Sequence, residues 1–165
     1  MILKQQRKQL IIFLFEISQK LYTSIFKSHQ PWGITVKDLL AYPKLSFGYH
    51  LGQFLSRNDF ELIPKVERHD CYHVLTGYGT KVEDEVALQW LCYGNGKRSL
   101  YLYGSMLLGT VILPDYYKYY LDSYHIGKQA NTFHYLNYQK LLKVNFEDFR
   151  MMIFSKFSQL KINLK

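Results

Sequence analysis

Cysteine is nearly absent from this 165-residue chain. Cys71 and Cys92 are too few to staple a disulfide scaffold, and they point to a reducing compartment. Both read as small core residues, the usual fate of an unpaired cysteine. Long apolar runs are missing too. The stretch from Ser99 to Leu113 lacks charge but falls short of the roughly 20 residues that a membrane-spanning helix needs. The apolar stretch Leu10 to Phe15 is interrupted by Glu16, and no small-residue cleavage site follows, so a secretory signal is not expected. Nor is the start rich in Arg and Ser like a transit peptide. Strand-like alternation and internal repeats do not occur. Acidic residues are the minority: 13 Asp and Glu face 21 Lys and Arg, a net charge of +8. That balance favours an anionic partner. The cations are scattered, with mild clusters at Lys4-Arg7-Lys8, Lys97-Arg98 and Lys156-Lys161-Lys165. No nucleic-acid module motif accompanies them, so nucleic acid is not an expected partner. Basic and apolar residues mingle at both ends, which suits a membrane surface better.

What is present is helical. Hydrophobic residues make up 48% of the chain, enough for one domain with a sizeable core. The spacing predicts an all-α, single-domain bundle of about seven to eight helices over 1–165. An N-terminal amphipathic helix within 1–30 carries a stripe at Leu10, Leu14, Ile17, Leu21 and Ile25, widened by Ile11, Phe15, Tyr22 and Phe26. Ile12 and Phe13 lie on its far side, so burial or contact with lipid would have to cover them. Thr35 and Asp38 cap a short helix, and residues 43–57 form the next, with Leu45, Tyr49, Phe54 and Leu55 apolar. Helices follow at 66–76, 81–93 and 98–112, the last apolar on all sides. Ser105 and Gly109 on it are small residues four apart, fit for a close helix contact. A Tyr-rich helix opens at Pro114-Asp115. Further helices are expected at 130–143 and, capped by Asn145, at 146–158, before a loose basic tail at 158–165.

His69-Asp70-Cys71-Tyr72-His73, with Glu85 after eleven further residues, is the most informative pattern. Histidines at i and i+4 leave one face of a helix, and at about 100° per residue Asp70 falls in the same arc. A straight helix would carry Glu85 about 18 Å beyond His73. Thr76-Gly77-Tyr78-Gly79-Thr80 is a breaker cluster, and Thr80 with Glu83 has the pattern of a capping box, so a second helix can fold back over the first. His69, Asp70, His73 and Glu85 are then candidate ligands of a divalent metal. Zinc suits them, and two imidazoles with carboxylates also suit iron or manganese. Buried Asp, Glu and His side chains need partners, and one cation serves all four. Cys71 lies about 200° round the helix from His69 and points away.

Gly94-Asn95-Gly96-Lys97-Arg98-Ser99 precedes a helix and holds two cations. Lys97 and Arg98 are candidate contacts for an anionic group. It is not a P-loop, and a plain helix–turn–helix link is the simpler reading. The tyrosine cluster suits a channel lining or, more simply, surface packing. His29, His50, His125 and His134 have no partner at ligand spacing.

The pattern His-Asp-x-x-His-x11-Glu resembles the signature of the Coq-four family of coenzyme Q (ubiquinone) biosynthesis proteins. His73-Val74-Leu75-Thr76-Gly77 and Glu85-Val86-Ala87-Leu88 also match, as do Leu39-Leu40-Ala41-Tyr42-Pro43 and Phe47-Gly48 upstream. The likeness covers residues 33–150, the family-like core. It is to the compact bacterial form, because the segment between Phe47-Gly48 and His69 is short. The resemblance implies an all-helical protein with zinc or a similar ion held by His69, Asp70, His73 and Glu85. It implies a hydrophobic channel for a prenylated quinone precursor or prenyl lipid, peripheral attachment to the inner, cytoplasmic face of a bacterial cell membrane, and a homodimer. It further implies oxidative decarboxylation at C1 of a polyprenylated hydroxybenzoate head group, or organisation of other quinone-biosynthesis enzymes. A non-catalytic prenyl-lipid-binding scaffold with a structural metal is the alternative. A His-Asp phosphohydrolase fits less well, since it needs further spaced ligands.

Overall fold

The computed structural model describes residues 2–26, 30–64 and 66–154, with the side chains of 2, 16 and 18–26 left out. The expected tail at 158–165, residues 155–158 and His29 lie outside the described residues, as do the side chains of Leu21 and Ile25. Among the described residues there are eight α-helices and no strand, so the fold is all-α. They are α1 (Ile2–Phe26), α2 (Val36–Leu40), α3 (Phe47–Arg57), α4 (Glu67–Thr76), α5 (Val82–Gly94), α6 (Leu100–Ile112), α7 (Tyr117–Gln129) and α8 (Phe146–Ile153). Short 3-10 turns lie at Pro114–Tyr116 and Tyr138–Leu141. The chain gathers into two compact units, one of Met1–Lys27 with Tyr78–His134, the other of Ser28–Gly77 with Tyr135–Lys165.

In the first unit α5 and α7 cross backbone to backbone. A Cβ at Gly94 would collide with the Tyr124 carbonyl, and one at Gly127 with the Leu91 carbonyl, so each helix presents a glycine to the other. On its other side α5 meets α6 at Gly109, where a Cβ would run into Val86. The close contact expected at Ser105 and Gly109 is therefore formed. On the N-terminal helix the rotation favours one edge of the expected apolar face over its centre. Ile11 is buried among Val82 and Leu113, with Phe15, Ile112 and Tyr116 around them, whereas Leu10 and Ile17 are nearly half exposed. The polar residues set that rotation: Lys8 pairs with Glu83 at 2.7 Å, and Arg7 pairs with Asp115 at 2.8 Å while donating to the Ile112 carbonyl.

The helix expected at 130–143 is not formed; only Tyr138–Leu141 coils, as a 3-10 turn. Asn95 supplies the reason. Its side-chain oxygen accepts from the Phe133 and His134 N–H groups, and its amide donates to the Gly127 and Asn131 carbonyls. Backbone groups that a helix would have used are thus satisfied by one buried side chain.

The second unit is built on aromatic packing. Phe47, fully buried, meets Phe149 edge to face at 5.3 Å and Tyr138 at 5.8 Å; Tyr72 meets Tyr138 at 5.7 Å. α3 starts at Phe47 rather than at 43. Ser46 caps it by accepting from the Tyr49 N–H, while the Phe47 and Gly48 N–H groups donate to the Val144 and Leu142 carbonyls. Leu45 is left outside, 70% exposed. Thr35 and Asp38 form the expected reciprocal capping box of α2, and Asn145 caps α8.

Candidate metal centre

α4 runs from Glu67 to Thr76 and ends at Gly77, whose φ of 77° is the left-handed cap that glycine adopts without strain. Two acids in its first turn, Glu67 and Asp70, complement the positive end of the helix. Buried Glu67 also accepts from the Trp32 N–H at 3.0 Å, an anchor that nothing in the local pattern announced.

His69 and His73 leave one face of α4, as their spacing requires. Their rings stand perpendicular with centroids 4.7 Å apart, and their Nε2 atoms are 3.1 Å from each other. His73 is buried, and its ring stacks on Phe54 of α3 at 5.5 Å and 13°. Phe54 thereby fixes the plane of that imidazole. The two nitrogens are close enough to share one ion. One ring donating to the other would fit the same distance.

Past Gly77 the chain turns and α5 begins at Val82. The expected capping box is not made there. Lys81 is the N-cap and no side chain caps it, because Glu83 is drawn to Lys8 instead. Glu85 lies in that first turn. A ring nitrogen of His69, a ring nitrogen of His73 and a carboxylate oxygen of Glu85 all fall within 4.8 Å of one another, a three-residue group able to hold a metal. Asp70 is not among the three; it stays a half-buried acid of the first turn of α4. The donor set fits a divalent ion. Two imidazoles and one carboxylate form a familiar catalytic zinc set, and three protein donors would leave a position for a further ligand.

Arg98 turns back on α5. Its guanidinium donates to the Tyr93 and Lys97 carbonyls, both at 2.7 Å, and lies 4.2 Å over the Tyr93 ring. It closes the helix end, and the backbone N–H of Lys97 reaches the Cys92 carbonyl. Ser99 caps α6. His50 stacks on Phe146, and His134 bonds the Asn95 carbonyl. Cys71 and Cys92 are buried. Burial pushes the Cys71 thiol well up and that of Cys92 to about 11.

Comparison with known proteins gives the family. The family of the coenzyme Q (ubiquinone) biosynthesis protein Coq4 matches residues 62–155, more than half of the chain. No curated protein matches significantly. A crystal structure from Nostoc punctiforme PCC 73102, of a protein whose name places it in ubiquinone biosynthesis, superposes with a TM-score of 0.63. It is 17% identical and the match covers 92% of this chain and 82% of that one, a likeness of fold. The matched segment contains α4, the Gly77 turn and α5, and with them both histidines and Glu85. The chain belongs to the Coq4 family of coenzyme Q (ubiquinone) biosynthesis proteins.

Proposed function

We propose that this protein carries out an oxidative decarboxylation at C1 of a polyprenylated hydroxybenzoate in quinone biosynthesis, in which the carboxyl leaves as carbon dioxide and a hydroxyl derived from dioxygen, the oxidant, takes its place, using a divalent metal held by His69, His73 and Glu85. The convergence of those three donors carries the reading. The bound ion, zinc or alternatively iron or manganese, supplies Lewis acidity at the carboxylate or adjoining phenolic oxygen. His69 and His73 hold it from one helix face, and Glu85 closes the set from the next helix. Phe54 stacks nearly parallel beside the His73 ring and helps hold its plane. The family supports the pathway; the three-donor group supports the chemistry.

Turnover of a prenylated hydroxybenzoate, followed as loss of the carboxylate, tests this. Glu85→Ala is expected to abolish turnover while circular dichroism keeps the helical signal. If fold and lipid binding vanish together in that variant, the metal only pins two helices and the protein is a prenyl-lipid scaffold.

We further propose contact with a membrane surface and a prenyl lipid through α6. No helix among the described residues is long and apolar enough to cross a membrane. Yet α6 carries no charge and exposes Leu100, Tyr103, Leu107 and Val111 at helical spacing, with Leu107 66% exposed. The net charge of +8 favours anionic lipid. Co-sedimentation with phosphatidylglycerol vesicles should fall several-fold in Leu107→Glu/Val111→Glu with the melting temperature unchanged. Equal sedimentation would remove α6 as the contact.

A further inference from the structure

Three acids in succession, Glu83, Asp84 and Glu85, occupy the first turn of α5. At about 100° apart they leave the helix in three directions. Glu83 is held by Lys8 at 2.7 Å and accepts from Tyr116 at 3.3 Å. Asp84 is held by the Tyr119 hydroxyl, which donates to Oδ1 at 2.8 Å. Glu85 belongs to the three-donor group. The helix start has no side-chain cap, and these two neighbours hold its first turn, while packing on α6 and α7 holds the rest.

Tyr119 is itself braced. Its ring stacks parallel on Tyr78 at 5.9 Å and 6°. The Tyr78 hydroxyl donates to Ser123 Oγ at 2.7 Å, and Ser123 donates at 2.7 Å to the Tyr119 carbonyl. Ser123 is fully buried and Tyr78 nearly so. Space for the Asp84 carboxylate is reserved by Gly79, where a Cβ would stand 2.7 Å from Oδ2. Burial first, and the Asp84 carboxylate second, hold the Tyr119 phenol far above its ordinary range, so it remains a donor at any working pH.

We infer that the Tyr119–Asp84 hydrogen bond is a positioning device: it holds the first turn of α5 and so aims Glu85 at the metal. The inference rests on the metal reading proposed above. A carboxylate about 5–6 Å from a helix axis travels about 2 Å for a 20° rotation. Metal bonds tolerate about 0.2 Å, so a small slip would lose the ligand.

Cobalt(II) titration of the full chain tests it, read by affinity and by the visible bands of the bound ion. Tyr119→Phe removes one hydroxyl and should weaken cobalt binding about tenfold, the lower end for outer-shell groups of metal sites, and alter the bands. Asp84→Asn keeps an acceptor for Tyr119 and should stay near wild type. Gly79→Ala displaces the carboxylate without deleting any hydrogen-bonding group and should reproduce Tyr119→Phe. Tyr117→Phe, at an exposed tyrosine of the same helix, should change nothing. If Tyr119→Phe and Gly79→Ala bind cobalt with wild-type affinity and spectrum while His73→Ala does not bind, the positioning role falls and the metal site stands. A wild-type protein that takes up no cobalt removes both.

Discussion

His73→Ala should purify without metal, where wild type carries close to one equivalent. Mass spectrometry of carefully handled protein, without added chelator, reads the difference directly. The effect is expected to be large because the proposed site makes His73 itself a donor. Deleting a neighbour of a ligand already costs about 10–100-fold in affinity, so deleting the ligand should cost more. The substitution also opens space, since the ring is buried and stacked on Phe54. Part of any loss in stability is therefore a packing cost of about 2–4 kcal/mol. Comparing the two proteins after metal removal isolates that part. The remainder appears only when metal is added back, and it grows with metal concentration, as expected for a ligand that binds the folded state. His69→Ala should lose metal equally with a smaller packing cost, because that ring is only half-buried. A wild type with no metal would leave a helical protein without the proposed chemistry.

Gly127→Ala should be the most destabilising single-methyl substitution in α7. The added carbon overlaps the Leu91 carbonyl and lies 2.8 Å from its carbon, both rigid backbone. Neither helix can yield locally, because Gly94 meets the Tyr124 carbonyl on the same seam. Overpacking usually costs about 1–3 kcal/mol and more where backbone must move; about 3 kcal/mol or more is expected here. For a chain of this size that lowers the melting temperature by about 6–12 °C. Gly104→Ala is the internal comparison. Its Cβ meets nothing within 4 Å on α6, and a helical alanine there should stabilise by about 0.5–1 kcal/mol. Urea unfolding of both variants checks the pair. Similar stabilities would mean that α5 and α7 separate enough to admit a methyl group.

Where a signal is local, the sequence is readable. The capping box at Thr35 and Asp38, the Asn145 cap and the glycine stop at Gly77 each involve residues within one turn, and all three form. The i,i+4 histidines and the breaker before Glu85 are legible for the same reason. Signals that depend on distant residues were not. Thr80 and Glu83 have the spacing of a capping box, but Lys8, 75 residues away, takes the carboxylate. Residues 130–143 carry no breaker to forbid a helix, yet Asn95, 38 residues from Phe133, binds their backbone. Periodicity on α1 gave the right element and a broad apolar face, of which the edge at Ile11 and Phe15, not the centre at Leu10 and Ile17, is turned inward. That helix is apolar nearly all round, so Lys8 and Arg7 decide the rotation through ion pairs that no periodic pattern contains. The Tyr119 brace was invisible likewise: one tyrosine among several in α7, told apart only by facing Asp84.

The burial of Cys71 and Cys92 has a practical sequel. Both thiols are sealed from solvent and held in the protonated form, and the chain has no others. Alkylating and fluorescent reagents, which need a thiolate they can reach, find no target on the folded surface. A single cysteine placed at an exposed site such as Leu107 becomes the one position a dye or spin label can occupy. The native protein is thus its own blank background, and the surroundings of α6 can be recorded with and without lipid without first removing a natural residue.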